Sequence, residues 1–199
     1  MTDRGHLTGP GAVTDPAGAD GPGRPEGAGS APPSAWGEAR HRTFSWYDPA
    51  VTARAAPTCS GLEFLRAIRD GILPPPPIAS LFGFEMRDVA PGRVVFACRP
   101  EEIAYNPIGV VHGGLVCTLA DTVTACAVHS TLDAGVAYTS IDVNVSYLRP
   151  VTSASGVLVA TGVVTKSGRR VAFASAEIVD GAGKVVATAA SSCLVMPPA

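Results

Sequence analysis

The sequence predicts an α+β domain in which one long helix lies against an antiparallel sheet. Three observations predict it. Residues 113–132 form a continuous run of small and apolar residues with the length of a helix. Strand-like runs follow at residues 137–149, 155–166, 169–180 and 184–196. The last three are joined by "KSGR" and "DGAGK", short Gly-containing turns of the kind that antiparallel hairpins use.

In chain order, residues 1–40 are Gly, Pro, Ala and Asp without periodicity. Of the 22 Gly and 18 Pro in the chain, residues 1–37 hold 9 and 6. Such a segment cannot bury enough apolar surface to offset its ordering entropy, so a disordered tail is expected. Residues 41–77 read as an extension. It opens with the aromatic stretch "TFSWYDPAV", which could dock on the domain or on a partner. Ser60 and Glu63 then have the spacing of a capping box, and Leu62, Leu65, Ile68 and Ile72 give the helix that follows one apolar stripe, ended by Pro74–Pro77. Residues 78–199 are the domain proper. "LFGFEMRDV" and "GRVVFACRP" read as strands about a turn at Pro91-Gly92. In the run after the long helix, Ile141, Val143, Val145 and Tyr147 alternate with Ser140, Asp142, Asn144 and Ser146, placing the two sets on opposite faces.

Composition removes several function classes. The 199 residues carry 15 basic and 17 acidic side chains, a net charge of −2, which offers no footprint for nucleic acid or an anionic membrane surface. No stretch approaches the roughly 18 apolar residues of a membrane span, and no basic segment leads into an apolar core as in a secretory signal. The five cysteines are scattered without a C-x-x-C pair, so reduced thiols are expected rather than a disulfide framework or a zinc site. A cytoplasmic protein without membrane attachment is the expectation.

The residues able to do chemistry are Asn106, His112-Gly113-Gly114 and Asp121. Two adjacent glycines at a helix start leave backbone N–H groups open to a ligand, and with the helix dipole these suit a developing oxyanion. Asp121 is the only formal charge within residues 113–132. On a helix apolar all round it is expected in a mostly dry place, as a general base or nucleophile. Asn106 supplies an amide to a carbonyl or a water. Each feature also has a plain structural reading: the Gly pair as close packing, His112 as a hydrogen-bonded helix start, Asp121 as a polar anchor. His129 reads as a partner for the C-terminal dipole. Arg169-Arg170 beside Gly168, and Arg149 in "YLRP", could hold phosphates or sit in solvated turns. Gly113 and Asp121 are eight residues apart, about 12 Å along a helix. One carbonyl cannot touch both within a chain, but two antiparallel helices about a two-fold axis can offer one group each.

"NPIGVVHGGLVCTLAD" followed by "TSIDVNVSYLRP" resembles the hotdog-fold acyl-CoA thioesterases of the PaaI type, related to 4-hydroxybenzoyl-CoA thioesterase. The resemblance implies a long helix wrapped by an antiparallel sheet, and homodimers with shared active sites that pair as a dimer of dimers. It implies an acyl-CoA substrate and no cofactor. It assigns the polarising N–H to Gly113, the catalytic carboxylate to Asp121, and placement of substrate or water to Asn106, His112 and Ser140. Gly114, Arg149, Gly168, Arg169 and Arg170 are the expected substrate-binding residues. A non-catalytic acyl-CoA binder and a hotdog dehydratase or hydratase are the alternatives.

Overall fold

The computed structural model describes residues 36–196 and 198. The expected tail falls outside the described residues from 1 to 35. The described residues before Thr43 are exposed, and Thr43–Ala199 forms one compact unit.

The unit holds four helices, α1 (Pro49–Ala55), α2 (Gly61–Arg69), α3 (Pro77–Phe82) and α4 (Gly113–His129). Its six strands are β1 (Phe84–Ala90), β2 (Arg93–Cys98), β3 (Ala137–Tyr147), β4 (Leu158–Lys166), β5 (Val171–Val179) and β6 (Val185–Met196). They form one antiparallel sheet in the order β1-β2-β4-β5-β6-β3. The mixed architecture agrees with the expected hotdog arrangement: the sheet curls about α4, which packs against β2, β3, β4, β5 and β6. Leu119 and Val123 of α4 meet Val94, Leu158, Ile178 and Val186 of the sheet, all essentially removed from solvent. Each such side chain stabilises the fold by about 1.5–3 kcal/mol relative to exposure. A Cβ on Gly162 of β4 would lie 2.3 Å from the Val123 carbonyl, so only glycine permits this approach of strand to helix.

Three expectations need correction. First, α4 is not buried all round. Its sheet side is enclosed, whereas Gly113, Gly114, Cys117, Thr118, Asp121, Thr122, Ala125 and Cys126 form a half-buried stripe. The residues are small enough on every side that hydropathy alone does not distinguish the two faces. Second, Leu81 and Phe82 belong to α3 rather than to a strand, because Pro77 starts that helix and Gly83, at φ 67, ends it in the left-handed conformation. Third, β3 carries a register shift between Ser140 and Asp142. The bulge at Ile141 reverses the alternation, so Tyr138 and Ser140 share the inner face with Val143 and Val145, while Ile141 is exposed. Ser140 is thereby parted from Asp142, which turns outward and accepts bonds from the Ser192 N–H and hydroxyl.

The capping box is present, with Ser60 and Glu63 bonded reciprocally at the start of α2. Gly61 donates its N–H to the Leu132 carbonyl at 3.0 Å. A Cβ there would fall 1.8 Å from the His129 carbonyl, so α2 is seated directly on the end of α4. The aromatic stretch before it does not dock on its own domain, since Phe44, Trp46 and Tyr47 are exposed.

His129, only 8% exposed, lies between the rings of Phe64 and Tyr138. Burial lowers its pKa to about 4 from an ordinary 6.5. The unfolded chain therefore binds the extra proton first as pH falls. Stability from this site is complete above about pH 6.5 and is lost toward pH 4, on the order of 3 kcal/mol in all. Urea unfolding at pH 7 and pH 4.5 should show the wild type losing more stability than His129→Phe; equal losses would contradict the assignment.

Candidate active site

The start of α4 is capped by an unusual residue. His112 takes the N-cap position, where Ser, Thr, Asp or Asn is usual, and its Nδ1 accepts from the Gly114 N–H at 2.8 Å. A Cβ on Gly114 would sit 2.9 Å from that nitrogen, so this glycine serves the cap. Gly114 was an expected substrate contact, but its N–H is already engaged. The Gly113 N–H has no acceptor among the described residues and remains open at the positive end of the helix. A Cβ at Gly113 would be 3.1 Å from the Tyr147 ring, whose hydroxyl donates to the Gly113 carbonyl at 3.0 Å. The sequence reading missed Tyr147 as a site residue, because a strand-end aromatic carries no signal of a bond to a helix start.

Asn106 stands in the loop that delivers the chain to His112. Its Oδ1 accepts from the N–H groups of Ile108 and Val110, at 3.1 and 3.3 Å. The base of the loop is closed by the Tyr105–Val111 bridge and by the His112 N–H donating to the Ala104 carbonyl at 2.7 Å. The carbonyl end of the Asn106 amide is thus committed to the loop, and its NH₂ is the end left to meet a ligand.

Asp121 lies two turns along α4, on the half-buried stripe. Thr118 and Thr122 beside it fold their hydroxyls back onto the helix carbonyls of Gly114 and Thr118, at 2.8 and 2.7 Å. Asp121 instead reaches across to β3, where Ser140 Oγ donates to its Oδ1 at 2.8 Å. The bulge at Ile141 makes this contact possible by turning Ser140 inward. Around the pair, the Cys126 thiol is pushed up to about 12, chiefly by burial and secondly by the Asp121 charge. The Tyr138 hydroxyl is raised well above 10, again first by burial. Both stay protonated at neutral pH, which makes neither a competing base or nucleophile. All five cysteines are free thiols.

The expected substrate-binding residues fall into two places. Arg149 donates to the Val185 carbonyl and lines a cavity of about 360 Å³ with Gly113, Val116 and Tyr147. Gly168, Arg169 and Arg170 line another, of about 950 Å³, with Thr131, Asp133 and Leu194 beyond the far end of α4. The 17-residue helix separates the two by about 24 Å. One chain therefore brings together Asp121 with Ser140, and Gly113 with Arg149, but not these groups with each other or with Arg169-Arg170.

Removing the cap tests the local account. His112→Ala should cost about 1 kcal/mol of stability by thermal or urea unfolding, and His112→Asn should restore most of it. Equal stability in all three proteins would remove the cap from the account.

The chain was compared with known proteins. The family model described as the thioesterase superfamily matches residues 108–187. Human acyl-coenzyme A thioesterase 13 is 35% identical over 99 residues, which are 49% of this chain and 69% of that protein. The solved structure of a phenylacetic acid degradation-related protein from Ralstonia eutropha is 30% identical with a TM-score of 0.60, covering 65% of this chain and 97% of that one. The PaaI protein of E. coli, 23% identical, shares the fold with a TM-score of 0.61 over 69% of this chain and 94% of its own.

Proposed function

Because the chain belongs to the thioesterase superfamily, as a hotdog-fold member of the PaaI type, we propose that it hydrolyses acyl-CoA thioesters at a site shared by two antiparallel copies of α4. It is a thioester hydrolase. The observation that carries the shared site is the placement of the open Gly113 N–H and the Asp121–Ser140 pair on one helix, about 12 Å apart.

Two helices paired antiparallel about a two-fold axis set Gly113 of one chain beside Asp121 of the other, twice over. The thioester carbonyl accepts from the Gly113 N–H, whose alignment with the helix dipole favours the oxyanion as it forms. Asp121 acts from the opposite side as general base toward water or as nucleophile, with Ser140 fixing one carboxylate oxygen and leaving the other for the reaction. Water adds to the acyl carbon, the C–S bond breaks, and a carboxylic acid and the free thiol of coenzyme A are released. Asn106 offers its NH₂ to the substrate or the water, while His112 contributes by holding the helix start. The same pairing carries the far end of one α4 to the side of the other's start. Arg169-Arg170 of one chain and Arg149 of its partner then face the same end of the site, suited to coenzyme A phosphates.

A binder without turnover would gain nothing from a carboxylate placed against the thioester. A dehydratase or hydratase would need an acid–base pair at the α and β carbons, whereas His112 is engaged as a helix cap and His129 lies between the rings of Phe64 and Tyr138.

Asp121→Asn preserves size and the bond from Ser140 but removes the base. We expect kcat for acyl-CoA hydrolysis, followed by thiol release, to fall on the order of 10²-fold or more with little change in Tm. Turnover near that of the wild type would take Asp121 out of the mechanism.

A further inference from the structure

A mainly apolar cavity of about 420 Å³, within the range of small-molecule sites, is reached by Thr122, the neighbour of Asp121 on α4, and by Tyr138 on the same face of β3 as Ser140; Arg69 and Glu85 are the charged residues that line it. Its floor is α4 and β3: Thr122, Cys126 and His129 follow one face of the helix, and Tyr138 sits two residues before Ser140 on the inner side of the strand. Its other wall is supplied by residues that precede the family-matched segment 108–187. Phe64, Leu65 and Ile68 of α2 line it, together with Ile78 and Ala79 of α3.

Resting on the proposed thioesterase reading, we infer that α2 and α3 form the fixed wall of the acyl pocket, and that Phe64, Ile68 and His129 set the length of acyl chain the enzyme accepts. The wall is fixed because Gly61 seats α2 on the end of α4 without room for a methyl group, and because Thr52 ties α1 to the Pro74 carbonyl at 3.0 Å. The far end is crossed by three rings in series: Phe64 to His129 at 5.3 Å between centroids, and His129 to Tyr138 at 4.7 Å. Neither the His129 imidazole nor the Tyr138 hydroxyl has a hydrogen-bond partner among the described residues, and neither is a fully enclosed unpaired group. A chain long enough to press on them would strip their solvent without replacing its bonds, which adds a polar penalty to the steric one.

The length follows from the helix. Asp121 and His129 are eight positions apart, about 12 Å. An extended chain of C–C bonds of about 1.5 Å advances about 1.25 Å per bond. An acyl group of about eight to ten carbons therefore spans the distance from the reacting carbonyl to the ring wall. The volume, equal to about fourteen water-sized units of 30 Å³, admits that chain, so length is the limiting dimension.

The test uses the full chain and straight-chain acyl-CoA esters from acetyl to palmitoyl, with kcat/KM measured by thiol release. The wild type should be most efficient at about eight to ten carbons and fall at least tenfold by sixteen. Ile68→Phe narrows the cavity and should lower the ratio of decanoyl to acetyl kcat/KM at least tenfold. Ile78→Phe, on the more exposed α3, is the second narrowing variant should circular dichroism show that Ile68→Phe melts low. Phe64→Leu trims the end wall and should move the optimum to chains at least two carbons longer. A flat wild-type profile to sixteen carbons, or folded variants that keep the wild-type profile, would overturn the inference. Failure to hydrolyse any ester would instead reject the catalytic reading. In that case calorimetric binding decides the pocket: decanoyl-CoA must bind more tightly than acetyl-CoA, and Ile68→Phe must remove most of the difference.

Discussion

The geometry of one straight helix governs the site. On α4 the uncapped N–H of Gly113 and the carboxylate of Asp121 are eight residues apart, and a helix rises about 1.5 Å per residue. No rotamer of an aspartate side chain, which reaches only from Cβ to a carboxylate oxygen, closes a gap of that size, and the sheet holds the helix on its opposite side. The stripe bearing both groups is the one side of α4 left half-buried, and its residues are small. A second backbone can come close along such a stripe, which is what a shared site requires.

Because the sheet and α2 both pack directly on α4, the helix is held in register from two directions. Gly162 lets β4 touch the helix backbone, and Gly61 lets the N-terminus of α2 touch its last turn. The positions of Asp121, Cys126 and His129 relative to β3 are therefore fixed to within the packing of the core. The Ile141 bulge then completes the arrangement by turning Ser140 toward Asp121. The proposed reaction centre and acyl pocket share the elements α4 and β3, and residues of α2, α3, β1 and β2 supply most of the rest of the pocket's lining.

Much of this was legible in the chain. The long helix, the hairpins after it and the Ser60–Glu63 capping box were carried by local chemistry, namely apolar runs, Gly-containing turns and a capping pair, and local chemistry is what sequence patterns report. Asn106, His112, Gly113 and Asp121 stood out because polar or flexible residues are unexpected at the start and along the length of an apolar helix. The features that were not legible depend on tertiary context. A bulge adds one residue to one strand of a ladder, so Ile141 looks like any alternating position until its partner strand is known. The bond of Tyr147 to the Gly113 carbonyl joins positions 34 residues apart, whereas the cap by His112, a contact two residues long, was among the plain readings of that residue. The short α3 was hidden behind a Pro-rich stretch that was expected only to end α2; α2 already stops at Arg69, leaving Ile72 exposed, and Pro77 starts the next helix. The distribution of Arg149 and Arg169-Arg170 at opposite ends of α4 follows from topology alone.

The shared site is tested most directly by subunit complementation. Asp121→Ala lacks the carboxylate. Gly113→Pro lacks the polarising N–H but keeps a residue suited to the first helical position, and the Tyr147 ring it would crowd is an exposed side chain, held there by its bond to the Gly113 carbonyl. Each variant alone should be nearly inactive toward acyl-CoA, with circular dichroism confirming that each is folded. Co-refolded in equal amounts, half of the dimers are hybrids, in which one site receives an intact Gly113 from one chain and an intact Asp121 from the other, while its symmetry mate carries both lesions. The account predicts recovery of roughly a quarter of wild-type activity. Folded variants that form hybrids yet recover no activity would contradict it and point to a single-chain site that uses another residue in place of one of the two groups.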